Sequence, residues 1–87
     1  MTKALALEWA QHNIRVNALA PGYILTDLNR DWLESKAGKD MIKSIPQRRC
    51  GLLTDLDGPL LLLASERSSY MTGVTIPIDG GHLVKSL

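Results

Sequence analysis

The residues best placed to do chemistry fall in one short stretch, Pro21-Gly22-Tyr23-Ile24-Leu25-Thr26-Asp27. Pro21 brings no backbone donor to a strand ladder and fixes its own φ, so it ends a strand. Gly22 tolerates φ > 0 and has no side chain, which lets a ligand approach the backbone closely. Either Thr26 or Asp27 can cap a following helix, whose first turn offers free N–H groups and a partial positive charge to a phosphate. Ligands of open α/β sheets bind beyond the carboxyl ends of the strands. The stretch therefore reads as one wall of a ligand crevice.

Elsewhere the reactive residue types are scattered. His12, Cys50 and His82 lie far apart in sequence and have no metal-ligand spacing. Cys50 is the one cysteine, which excludes an internal disulfide and fits a reducing, cytoplasmic compartment. Only Arg48 and Arg49 stand close enough to lower its pKa, and an inert thiol is the favoured reading. That arginine pair is either solvated on a loop or a phosphate contact. A formal charge of +1 gives no electrostatic footprint for nucleic acid or an anionic membrane. Leu60 to Leu63 is too short to span a bilayer, and Glu8 interrupts the apolar start at Ala4 to Leu7. With 45% hydrophobic and 22% charged residues in 87, the chain has the composition of one small, soluble globular domain.

The elements that must carry the Pro-Gly stretch follow from periodicity. Met1 to Gln11, rich in Ala and Leu, predicts a helix stopped at Asn13. Its apolar residues spread almost all the way round, so it needs cover on more than one side, and it lacks an N-cap before its first apolar turn. Ile14, Val16, Ala18 and Ala20 alternate to one face while Leu19 makes the other partly apolar, the pattern of a parallel strand covered on both faces. Asp27 to Lys36 predicts a second helix with Leu28, Trp32 and Leu33 on one face, broken by Ala37-Gly38-Lys39. Met41, Ile42 and Ile45 form a short apolar turn before Pro46. This excursion reads either as a lid over a substrate or as ordinary core packing.

Gln47 to Thr54 is then a connecting loop. A third helix contains Leu60 to Ala64 and starts either at Thr54, paired with Asp57, or later with Asp57 as N-cap and Pro59 in the first turn. Val74, Ile76 and Ile78 alternate along a last strand, which Pro77 marks as an edge strand. Helices between the two strands supply the crossover that a parallel pair requires. Asp79-Gly80-Gly81 turns the chain at the carboxyl end of that strand.

Arg15-Val16-Asn17 followed by Pro21-Gly22 and Thr26-Asp27, with Asp79-Gly80-Gly81 near the chain end, resembles the C-terminal part of the short-chain dehydrogenase/reductase family from Met1 to about Val84. The resemblance implies an α/β fold, the C-terminal part of a doubly wound parallel-sheet (Rossmann-type) domain. Residues 1–87 would be the C-terminal segment of that single domain, without its N-terminal cofactor-binding half. It implies hydride transfer between NAD or NADP and an alcohol or ketone, with no nucleic-acid or membrane partner and with dimers or tetramers of the whole protein.

In the family the residues after Pro-Gly hold the nicotinamide carboxamide through backbone atoms and a Thr hydroxyl reaches the cofactor. That carries over to Pro21, Gly22, Ile24 and Thr26, and it turns Leu28 and Trp32 toward the substrate. The family's catalytic Tyr-x-x-x-Lys would stand just before Met1. Tyr23 and Tyr70 do not match it, since Asp27 and Val74 stand four residues on, and no glycine-rich phosphate loop is present. No catalytic residue is assigned, and the 87-residue chain alone is expected to be inactive. The alternative is a non-catalytic remnant or oligomerisation module.

Overall fold

A computed structural model of the chain describes residues 1–84. It is an α/β fold with two parallel strands, and its chain order is α1 (Thr2–Trp9), β1 (Ala18–Pro21), α2 (Arg30–Glu34), α3 (Lys36–Lys43), α4 (Asp57–Ala64) and β2 (Thr75–Ile78). Short 3-10 turns occupy Ala10–His12, Leu53–Leu56 and Glu66–Ser68. The chain divides into two compact units, one from Met1–Ala20 with Asp57–Ile76, the other from Pro21–Leu56 with the chain from Pro77. No helix among the described residues is long and apolar enough to cross a membrane.

The first unit is held by polar clamps. Asn13 stops the first helical segment in the left-handed conformation, φ 60 and ψ 34, which Asn tolerates better than most residues. Strand pairing then begins only at Ala18, four residues later than the alternation of Ile14 to Ala20 predicts. The reason lies in Arg15, Val16 and Asn17, whose polar groups are engaged with residues 65–74. Arg15 Nη1 donates to the Ser68 carbonyl (2.8 Å) and to Ser68 Oγ (2.7 Å), and Nη2 donates to the Ser65 carbonyl (3.3 Å). The Val16 amide donates to Thr72 Oγ1 (3.0 Å). Asn17 donates through Nδ2 to the Met71 carbonyl and accepts through Oδ1 from the Val74 amide. Ser68, only 1% exposed, is thereby a satisfied buried polar residue.

α4 starts at Asp57, with Pro59 in its first turn where a missing N–H costs nothing, and the 3-10 turn that precedes it reconciles the two starts the sequence leaves open. Leu60 and Leu61 on α4, with Leu7 on α1, remain exposed large apolar side chains.

In the second unit the helical excursion differs from the sequence expectation. One helix over 27–36 is replaced by two, and the break falls at Ser35, whose extended backbone (φ −70, ψ 167) ends α2 and caps α3 by accepting from the Gly38 amide (3.2 Å). Ala37-Gly38-Lys39 therefore lies inside α3 instead of breaking a helix. Gly38 is there for close approach: a Cβ on it would stand 2.2 Å from the Trp32 carbonyl oxygen and 2.6 Å from Leu33 Cα. Met41 and Ile42 belong to α3, and Ile45 beyond it is buried at 2% exposure. β2 begins at Thr75, one residue after the expected Val74.

Candidate functional site

The chain leaving β1 sets up the site, and every residue of it belongs to the second unit. Pro21 is the last residue of β1, and the Gly22 amide donates to the Ile78 carbonyl (3.0 Å). Gly22 does not adopt positive φ. Glycine is needed here because a Cβ would stand 2.8 Å from Asp79 Cβ. Ile24 then pairs with Gly51 in an isolated parallel bridge, the Gly51 amide donating to the Tyr23 carbonyl (2.9 Å) and the Leu25 amide to the Gly51 carbonyl (2.9 Å). A Cβ on Gly51 would come within 2.6 Å of Ile24 Cδ1, the far end of a side chain that can turn aside, and no backbone atom lies closer than 3.8 Å.

In such a bridge the flanking residues do the pairing, so the N–H and C=O of Ile24 itself point away from Gly51. The Ile24 carbonyl accepts from Asn29 Nδ2 (2.8 Å), and the Thr26 amide donates to Asn29 Oδ1 (2.8 Å). Neither Thr26 nor Asp27 caps a helix: α2 starts at Arg30 with Asn29 at its N-cap position, and Asp27 makes an exposed 3.5 Å ion pair with Arg30. The Ile24 N–H and the Thr26 hydroxyl make no hydrogen bond among the described residues. A main-chain donor and a side-chain hydroxyl are thus available along one short loop, and both are partly buried.

A cavity of about 340 Å³ adjoins the loop, lined by Tyr23, Ile45, Gln47, Arg49, Asp55 and the Pro77–Gly81 segment among others. Its floor is the turn after β2, where Asp79 accepts from the Gly81 amide (3.0 Å) and the Leu83 amide (3.1 Å) and so stabilises Gly80 and Gly81 at φ 64 and 91. Its rim is the Arg49–Asp55 ion pair at 3.1 Å. The Leu52 amide (2.7 Å) and the Arg49 guanidinium hold the Asp55 carboxyl below its ordinary value. Arg49 is ion-paired yet more than half exposed, and Arg48 beside it is exposed with φ 60, so both remain in solvent as the sequence suggests. Tyr23 meets the His82 ring edge-on at 5.8 Å between centroids, and His82 Nδ1 is buried without a hydrogen-bond partner among the described residues.

The structure brings Pro21, Gly22, Ile24 and Thr26 together on this loop. None of these four lines the cavity, and neither do Leu28 and Trp32, with Leu28 99% exposed and Trp32 about half exposed. Sequence reasoning missed Asn29, Asp55 and the pairing of Asp55 with Arg49. Asn29 had a signal, an Asx residue three positions after Thr26, of the kind that bonds nearby backbone in preference to continuing a helix. Arg49 and Asp55 had none, because nothing in a six-residue spacing marks an ion pair.

Comparison with known proteins gives the family of the chain. Residues 1–82 match the family described as enoyl-(acyl carrier protein) reductase. The chain is 45% identical over 86 residues to a 2-dehydro-3-deoxy-D-gluconate 5-dehydrogenase of Dickeya dadantii, covering 98% of this chain and 34% of that protein. It is 42% identical to an NAD-dependent glycerol dehydrogenase of Listeria innocua, covering 98% and 34%. Among solved structures, a gluconate 5-dehydrogenase from Burkholderia cenocepacia in complex with NADP and tartrate superposes with a TM-score of 0.87 at 38% identity, covering 95% of this chain and 33% of that one. The chain thus spans about a third of the length of the curated relatives it matches.

Proposed function

Because this chain belongs to the short-chain dehydrogenase/reductase family, we propose that it is the C-terminal, nicotinamide-facing segment of an NAD(P)-dependent oxidoreductase. The whole protein would interconvert an alcohol and a ketone on a small polyhydroxylated substrate, in the cytoplasm and as a dimer or tetramer. The observation that carries the reading is the loop Pro21–Thr26, which leaves the Ile24 N–H and the Thr26 hydroxyl without partners among the described residues on one short run of backbone. A carboxamide needs a donor for its oxygen and an acceptor for its amide. Ile24 offers both on the side facing away from Gly51, its carbonyl keeping a second lone pair beside the Asn29 bond.

The nicotinamide ring, when bound, gives or takes the hydride. This chain's own part is to orient that ring through Ile24 and Thr26. The cavity wall carries one cation, Arg49, paired with Asp55, together with Asp79, and Tyr23 and Gln47 add hydroxyl and amide groups. Such a wall suits hydroxyl-rich substrates, in keeping with relatives named for sugar acids and glycerol. Leu28 and Trp32 belong to this proposal as substrate contacts made in the whole protein.

The 87-residue chain by itself lacks a Tyr-x-x-x-Lys and a glycine-rich phosphate loop and is expected to be inactive. A second reading, a non-catalytic assembly module, is favoured by one observation, the exposed apolar faces of α1 and α4 at Leu7, Leu60 and Leu61. The test is nicotinamide absorbance in the complete polypeptide offered sugar acids and polyols with NAD or NADP. Turnover supports the oxidoreductase, and an upstream sequence lacking the Tyr/Lys pair with no turnover supports the module. The isolated 87 residues are expected to bind dinucleotide poorly as well, and micromolar binding measured by calorimetry would contradict that.

A further inference from the structure

The side chain of Asn29 spans the two ends of the Ile24–Thr26 segment. Its Nδ2 donates to the Ile24 carbonyl at 2.8 Å and its Oδ1 accepts from the Thr26 amide at 2.8 Å. Both lengths are at the short end for N–H···O bonds, and together they use one donor and the acceptor of a single amide group. Asn29 does not cap α2 with its side chain, and the backbone bond from the Leu33 amide to the Asn29 carbonyl (2.9 Å) does not depend on that side chain. The amide side chain is therefore free to act on the loop alone.

Leu25, between the two clamped residues, is tied from the opposite side by its N–H, which donates a hydrogen bond to the Gly51 carbonyl. The segment is thus fixed on both sides, which sets the direction of the Ile24 N–H and the position of Thr26. A loop left loose would have to order when a ligand binds, at a cost in affinity.

We propose that Asn29 is a positioning residue for the nicotinamide carboxamide, holding the Ile24 main chain and Thr26 ready before the cofactor arrives. The proposal rests on the reading that this loop faces the nicotinamide. Asn29 touches no cofactor atom itself; it acts through the two residues it bridges.

The experiment compares Asn29→Ala and Thr26→Ala in the complete polypeptide with the unaltered protein. Amide hydrogen exchange is followed in the ligand-free protein, and affinities are measured for the full dinucleotide and for ADP-ribose, which has no nicotinamide. In Asn29→Ala the Thr26 amide exchanges at least tenfold faster while the amides of α2 keep their protection. The dinucleotide affinity falls about tenfold, the size of one or two lost hydrogen bonds, and the ADP-ribose affinity stays within about twofold.

Unchanged Thr26 exchange, or unchanged dinucleotide affinity, overturns the role of Asn29. An equal loss for dinucleotide and ADP-ribose also overturns it, since that is general damage to the fold. Thr26→Ala separates the two ideas: if it weakens dinucleotide binding while Asn29→Ala does not, the loop assignment stands and the positioning role falls. If neither variant moves dinucleotide affinity, the loop assignment falls with it.

Discussion

Replacing Gly38 by Ala sets two effects of opposite sign against each other, and the structure decides between them. In a helix interior Ala is favoured over Gly by about 1 kcal/mol, and Gly38 sits inside α3. Helix propensity alone therefore makes Gly38→Ala stabilising. The added Cβ, however, would stand 2.2 Å from the Trp32 carbonyl oxygen and 2.6 Å from Leu33 Cα, both backbone atoms of the preceding helix that cannot rotate aside. Overpacking of this kind costs roughly 1–3 kcal/mol, and the upper end applies where backbone has to move. The net is a loss of about 2 kcal/mol. The urea slope grows with protein size and reaches about 3 kcal/mol/M at the top of the small-protein range, so the unfolding midpoint of the complete protein should fall by roughly 0.7 M. Circular dichroism or the fluorescence of Trp32 across a urea titration reads it directly. A midpoint that stays put or rises would mean that α2 and α3 are not packed this tightly.

Three further outcomes follow from the same geometry. Arg48 holds φ 60, a conformation that costs a non-glycine residue about 1 kcal/mol, so Arg48→Gly should raise thermal stability by up to about that amount. A lower melting temperature would show that the arginine side chain matters more than its backbone. Arg15→Lys keeps the charge but cannot reproduce the fork that reaches Ser65 and Ser68; about 2 kcal/mol should be lost in chemical denaturation, charged hydrogen bonds being worth about 1.5–3 kcal/mol each before replacement contacts form. Asp55 has its folded-state pKa lowered from 3.8 by the Leu52 amide and Arg49. Its contribution is therefore fully present above pH 3.8 and is lost as pH falls toward the lower folded value. Carbon-detected NMR titration should place its midpoint below 3.8, and Asp55→Asn should flatten the acid limb of stability.

The strands, their parallel order and the Pro-Gly turn were legible because each depends on local rules: period-two alternation, the missing donor of proline, glycine beyond a strand end. The stop at Asn13 was legible for the same reason, since one residue in the left-handed region ends a helix. The helix over 27–36 was misread because apolar spacing says which face is buried and nothing about where a capping serine divides the run. Ser35 wins over Gly38 as the breaking point through a single side-chain bond to the Gly38 amide. The late start of β1 was hidden because Arg15 and Asn17 satisfy partners more than fifty positions away, and no pattern within the strand reports a distant carbonyl. At the site, glycine identity was legible but its reason was not. Gly22 reads as conformational freedom in the sequence and proves to be room for Asp79.

The placement of the two prolines determines how the sheet can grow. The Ala18 amide donates to the Val74 carbonyl and the Gly22 amide to the Ile78 carbonyl. Since neighbouring residues of a strand point their polar groups to opposite sides, Thr75 and Pro77 face the outer edge of β2, and Leu19 and Pro21 the outer edge of β1. Among the described residues each outer edge of this strand pair therefore meets a proline ring near its carboxyl end, where a docking strand would look for an N–H. Templated stacking of one copy's strand on another's, the route by which exposed sheet edges seed fibrils, is interrupted on both flanks within a single residue pair.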